Sequence, residues 1–219
     1  MEESIKSSGT RILLIRHGET DWNRIRRFQG RSDLPLNKKG REQARALALA
    51  LKHEPLVAIY SSPLVRAIET ARLIKVFHPS TPLFKEDGLI EMDLGEFDGM
   101  EARRWAAQFP DFRKAWRENP ASVIMPGGES LQEVQARAID TLERITQLYP
   151  PKSTLLICSH NFVNLTILCC ALEISLDRFR DLRQETAALN ILYKQRERLW
   201  AEVANELSHL QKYKENGAE

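Results

Sequence analysis

Residues 11–20 read Arg11-Ile12-Leu13-Leu14-Ile15-Arg16-His17-Gly18-Glu19-Thr20. Four successive aliphatic residues bounded by charge have the pattern of a strand buried on both faces, as in a parallel sheet. The run stops abruptly at Arg16, His17 and Gly18. A guanidinium, an imidazole and a flexible residue are thereby delivered to the carboxyl end of a strand, the edge where open α/β sheets hold ligands. An arginine there suits an anion, and a histidine beside it suits a nucleophile or a proton carrier.

Outward from this strand, apolar runs and helical periodicities alternate, which predicts an α/β fold around a largely parallel sheet. Asn37 is placed to cap a helix over 38–53, with Ala44, Leu47, Ala48 and Leu51 on one face. Val57 to Tyr60 reads as a second strand, followed by Ser61-Ser62-Pro63. Pro63 suits the first position of the next helix, whose buried stripe is Leu64, Ile68 and Ala71. Pro82 to Phe84 is a candidate third strand, and Leu89 to Gly99 reads as an acidic loop. Residues 100–118 predict one or two short helices broken at Pro110, rich in aromatics (Trp105, Phe109, Phe112, Trp116) and in arginine. Those rings suit packing on one another as well as stacking on a substrate.

Ser130 and Glu133 fit a capping box at the head of a long helix with Leu131, Val134, Ala138, Leu142 and Ile145 inward, ended by Pro150-Pro151. Thr154 to Ser159 is another buried strand, with His160 at its end and a helix over about 162–172. Ala188 to Tyr193 and Leu199 to Val203 form a closing hairpin. With no repeat or linker, the chain reads as one domain over 1–219 with flexible ends at 1–9 and 208–219.

A net charge of +2 gives no broad field for nucleic acid or a membrane surface, and no apolar run reaches the roughly 18 residues that span a bilayer. The polar stretch 1–10 has no signal-peptide core. Cys158, Cys169 and Cys170 cannot all pair internally, so buried thiols in a reducing cytoplasm are the expectation. His53, His78 and His209 have no partners in the pattern and read as surface residues.

Parallel strands would bring Arg16-His17, Ser61-Ser62 with Arg66, and Ser159-His160 to one rim, where two arginines and helix N-termini make a site for a dianion. These elements, in this order, resemble the histidine phosphatase (phosphoglycerate mutase-like) superfamily. Arg16 to Thr20 matches its Arg-His-Gly-Glu-Thr signature, and Asn23 and Gln29-Gly30 match its downstream positions. Ser61 to Ala71, Leu89-Ile90-Glu91 with Gly95 and Gly99, Gly128 to Ser130, and Ser159-His160 match the rest. The third residue of the last element is glycine in the family and Asn161 here; asparagine tolerates left-handed backbone better than most residues and keeps its N–H.

The resemblance implies a three-layer α/β/α sandwich whose mostly parallel sheet has one antiparallel edge, with a small helical lid over 95–128. It also implies a metal-independent phosphomonoesterase without cofactor. His17, neutral and held at its other nitrogen by a backbone acceptor, attacks phosphorus. Arg16, Arg66 and a protonated His160 neutralise the equatorial oxygens, and Asn23 donates one more hydrogen bond. Glu91, its pKa raised by partial burial, is the general acid and base. Gln29, Gly30 and Asn161 complete the substrate-binding set. Other readings compete: Glu86, Asp93 and Glu96 rival Glu91, Asn23 suits a turn, and Glu129 and Ser130 suit a helix start. The acidic stretch 86–98 lacks the spacing of a calcium loop. No metal site is expected.

The expected partner is a small phosphorylated metabolite, with a homodimer expected on base rates. Arg24, Arg26, Arg27 and Arg31 suggest a second anionic group or a solvated surface. The alternatives are a mutase, disfavoured by the short 91–127 segment that leaves water access to the intermediate, and a phospholigand binder on an inactive scaffold.

Overall fold

The computed structural model describes residues 9–211. In chain order its elements are β1 (Thr10–Arg16), α1 (Asp21–Arg24), α2 (Lys38–Ala50), β2 (Leu56–Ser61), α3 (Val65–Lys75) and β3 (Leu83–Lys85). There follow α4 (Ala102–Gln108), α5 (Pro110–Glu118), α6 (Leu131–Gln147), β4 (Thr154–Ser159), α7 (Asn161–Ala171), β5 (Leu189–Gln195) and β6 (Arg198–Glu206).

The sheet order is β3-β2-β4-β1-β5-β6. Pairings β3–β2, β2–β4 and β4–β1 are parallel, while β1–β5 and β5–β6 are antiparallel. The closing hairpin thus supplies the antiparallel edge. Alternation along β1 divides the core in two. Ile12 and Leu14 pack with Leu131, Val134, Ala138, Leu142 and Ile145 of α6 and with α7. Leu13 and Ile15 face Leu47 and Ala48 of α2 and Ala67, Ala71 and Ile74 of α3. All four β1 residues are fully buried, and each contributes about 1.5–3 kcal/mol of apolar burial. The result is the expected α/β/α sandwich.

Several boundaries differ from the sequence reading. Helix α2 ends at Ala50, three residues short of expectation, and the buried His78 ring bonds the Leu51 carbonyl beyond it at 3.0 Å. His78 is therefore a helix-end anchor, not a surface residue. Helix α3 begins at Val65 with Leu64 as its extended cap, so Pro63 precedes the helix. The cause is local: Ser62 Oγ accepts from Leu64 N (3.3 Å) and Asp33 Oδ1 from Val65 N (2.6 Å), satisfying N–H groups that helix termini leave unpaired.

Of the expected flexible ends, 1–8 and 212–219 lie outside the described residues. Gly9 is buried and 208–211 form a helical turn. Within that turn His209 is buried, its Nδ1 3.4 Å from Glu206, which corrects the surface reading there too. Pro110 divides α4 from α5, and the rings of this segment pack on one another, with Phe97 and Phe112 centroids 4.8 Å apart and Phe28 and Trp105 5.3 Å apart. Ser130 and Glu133 form the expected capping box. No helix of the described residues is long and apolar enough to cross a membrane.

Candidate active site

Register brings the strand ends together. Arg16 of β1 lies opposite Ser159 of β4, and Cys158 of β4 opposite Ser61 of β2. The ladder continues one step past each strand, with His17 N donating to Ser159 O (3.0 Å) and Ser62 N to Cys158 O (3.0 Å). His17, Ser62 and His160 therefore emerge side by side. The two imidazole centroids are 5.1 Å apart, and both rings are buried.

Arg66, on the first turn of α3, lies between them and is fully buried. Its Nε–H is shared by His17 Nε2 and His160 Nδ1, each at 3.2 Å. Its two terminal nitrogens donate to Ser32 O (2.8 Å) and Gly30 O (2.7 Å). A guanidinium can only donate, so both imidazole nitrogens facing it are acceptors. His17 must carry its proton on Nδ1, where it donates to Gly18 O at 2.7 Å. His160 carries its proton on Nε2 and donates to Ser62 Oγ at 2.7 Å.

Burial comes first in setting both histidines well below their usual range, and the charges of Arg66 and Arg16 push the same way. These shifts favour a neutral His160 while no anion is bound, whereas the protonated ring expected from the sequence belongs to the phosphoryl-bound site. The penalty for desolvating a cation beside two arginines outweighs any nearby anion, and this balance is invisible in sequence. Burial also brings Arg66 down to about 10.

Glu91 is 2% exposed, and burial raises its pKa against the pull of backbone N–H groups and of Arg66. Its Oε1 accepts from Met92 N at 2.8 Å, and Phe162 N lies 3.2 and 3.3 Å from its two oxygens. Glu91 thus meets the head of α7 through Phe162, two residues past His160. Of its rivals, Glu86 pairs with Arg144 and Asp93 with Arg31.

Arg16 Nη1 donates to Asn161 Oδ1 at 3.1 Å and closely to the Gln184 carbonyl, while its Nε is buried without a partner among the described residues. Gln29 Oε1 accepts from Thr20 Oγ1 at 2.7 Å, and its Nε2 is buried without a partner among the described residues. These two buried donors suit an anion. Asn23 closes a capping box with Thr20 at the start of α1, so its Oδ1 is engaged in a turn. Arg24, Arg27 and Arg31 pair with Asp21, Glu101, and Asp93 with Glu129.

Sequence reasoning left the supports of this site unassigned. Asp98 accepts from Gly30 N (2.9 Å), Ser32 N (2.8 Å) and Ser32 Oγ (3.0 Å), fixing the loop whose carbonyls hold Arg66. Thr70 Oγ1 accepts from Gly18 N (3.1 Å), and Ser159 Oγ donates to Leu89 O (2.7 Å), two residues before Glu91. Ser62, Thr70 and Ser159 lie inside quoted motifs, which is their only signal; Asp98 lies outside them and reaches a partner 66 residues away.

Residues 12–206 match the histidine phosphatase superfamily (branch 1). The chain is 32% identical over 188 residues to phosphoserine phosphatase 1 of Hydrogenobacter thermophilus, covering 86% of this chain and 88% of that protein. It is 36% identical over 145 residues to a metal-independent phosphoserine phosphatase of Arabidopsis thaliana, covering 65% of this chain and 61% of that one. Among solved structures, Bacillus stearothermophilus YhfR superposes with a TM-score of 0.86 at 29% identity, over 92% of this chain and 99% of YhfR. Sequence and fold agree, and the chain belongs to the histidine phosphatase superfamily, branch 1.

Proposed function

We propose that this protein is a metal-independent phosphomonoesterase that hydrolyses a small phosphorylated metabolite through a phosphohistidine on His17. The observation that carries the reading is the hydrogen bonding of the His17 ring, from which its tautomer follows. With Nδ1–H given to Gly18 O at 2.7 Å, the Nε2 lone pair is free for phosphorus once substrate displaces its weak 3.2 Å contact with Arg66.

In the first step Nε2 forms a bond to phosphorus as the ester P–O bond breaks in line. Glu91, whose pKa burial raises, gives its proton to the departing alkoxide. In the second step the Glu91 carboxylate takes a proton from water, the water oxygen attacks phosphorus, and the P–N bond breaks to release phosphate and neutral His17. Arg16 and Arg66 meet the charge on the equatorial oxygens, aided by the idle donors at Arg16 Nε and Gln29 Nε2. A phosphoryl dianion beside His160 raises its pKa, so this ring becomes a charged donor only when substrate is bound.

Phosphoserine is the first substrate to try, on the strength of the names of two relatives. The test incubates the protein with p-nitrophenyl phosphate, phosphoserine and 3-phosphoglycerate, with and without chelator. Phosphate release unaffected by chelator is expected. Net isomerisation of 3-phosphoglycerate would favour a mutase, and tight phosphate binding without turnover a binding protein.

A further inference from the structure

Arg16 is held on one side only. Both acceptors on its Nη1 come from residues outside the strand that carries it: the Asn161 side chain, 3.1 Å away on the first turn of α7, and the Gln184 carbonyl. A guanidinium is a rigid planar fork, so fixing Nη1 at two points fixes the direction of the remaining N–H groups. One of them, Nε–H, is buried without a partner among the described residues.

We propose that Asn161 is a positioning residue that, together with Gln184, clamps Arg16 and aims its free edge at the phosphoryl oxygens. The inference rests on the reading of this rim as a phosphoryl site.

The clamp is stiff because its two arms are tied together. Gln184 and Asn190 exchange side-chain amide bonds at 2.7 and 3.0 Å, and both are buried. Asn190 Nδ2 also donates to Leu14 O of β1 at 2.9 Å, anchoring the pair to the strand that carries Arg16. Asn164, one helical turn beyond Asn161, donates to the side-chain Oε1 of Gln184 at 3.2 Å, whereas Arg16 is held by the Gln184 main-chain carbonyl. One helix thus supplies Asn161 to the guanidinium and Asn164 to the Gln184 arm. The motif that Ser159-His160 matches carries glycine at the third position, and glycine has no side chain for the first of these contacts. The contact to Arg16 therefore depends on the asparagine that stands at position 161.

The test measures binding of inorganic phosphate by calorimetry to wild type, Asn161→Ala, Arg16→Ala and the double variant, with p-nitrophenyl phosphate kinetics alongside. Asn161→Ala is expected to weaken phosphate about tenfold, as loss of one hydrogen bond to a charged group does, and to raise KM more than it lowers kcat. In the Arg16→Ala background the same change is expected to have no further effect, a coupling that a purely structural role would not produce. If Asn161→Ala folds poorly, Asn161→Gly takes its place. Unchanged phosphate affinity, or losses that add fully in the double variant, overturns the clamp. Wild type that binds phosphate with this coupling but never turns over would overturn the proposed function and leave the clamp standing. Wild type that binds no phosphate overturns both.

Discussion

His17 and His160 share one guanidinium proton, and the chemistry of single residues at this rim is governed by who holds protons. Burial and two arginines keep both imidazoles neutral. Nitrogen-15 spectra of the ligand-free protein should show both rings uncharged as pH falls below 6.5, where an ordinary histidine gains its proton; titration near 6.5 would contradict the assignment. Adding phosphate should then protonate His160 and leave His17 neutral. Arg66→Ala should lower kcat/KM on p-nitrophenyl phosphate by about 10²–10³ if it resembles the loss of one oxyanion donor. At this scale the sequence displayed residue types well. Arg16, His17 and His160 were legible because each stands at or just past the end of an apolar run, and Arg66 because it follows Ser61-Ser62-Pro63 by one helical turn. Charge state was not legible for His160, since it depends on burial by residues far away in sequence. The burial of His78 escaped for the same reason, its ring bonding the Leu51 carbonyl 27 residues back.

Loops and helix ends carry the precision of the site. The loop 30–32 gives two carbonyls to Arg66 and takes its shape from Asp98. Asp98→Ala should therefore raise KM for p-nitrophenyl phosphate about tenfold with a smaller change in kcat, and Asp98→Asn, which keeps an acceptor, should be milder. Equal effects of the two substitutions would contradict this role. The turn after β1 packs against the start of α2 so closely that a Cβ on Gly18 would lie 2.4 Å from the Gly40 carbonyl. Gly18→Ala should cost at least about 1–3 kcal/mol in urea unfolding, the usual range for overpacking, because backbone cannot step aside. Strong periodicity made α6 and its capping box readable from sequence. The start of α3 was misplaced because Ser62 and Asp33 satisfy its first N–H groups, a tertiary choice that overrides the preference of Pro63 for a first helical position.

Across the whole molecule the site is a cost to stability. For His17 and His160, folded values below 6.5 leave the unfolded chain holding more protons, so stability should fall as pH drops from 6.5 toward those values. For Glu91 the sign reverses: a folded value above 4.5 means stability is lost as pH rises from 4.5 through that value. Glu91→Gln should accordingly raise Tm near neutral pH by a few degrees, at about 2–4 °C per kcal/mol for a chain of this size, while abolishing turnover. A lower Tm would mean that the carboxylate stabilises the fold. The alternation of strand and helix signals foretold the α/β class and the largely parallel sheet, while the layers and the antiparallel edge came with the family resemblance. The pairing of Gln184 with Asn190 and Asn164 had no local signature, because its members come from separate elements. The most direct measurement of the account is the covalent intermediate itself. Wild type mixed with p-nitrophenyl phosphate, quenched rapidly into alkali and mapped by mass spectrometry, should carry one phosphoryl group on His17, with or without chelator, and His17→Ala should carry none. Turnover by His17→Ala at the wild-type rate, or a phosphoryl group on another residue, would contradict it.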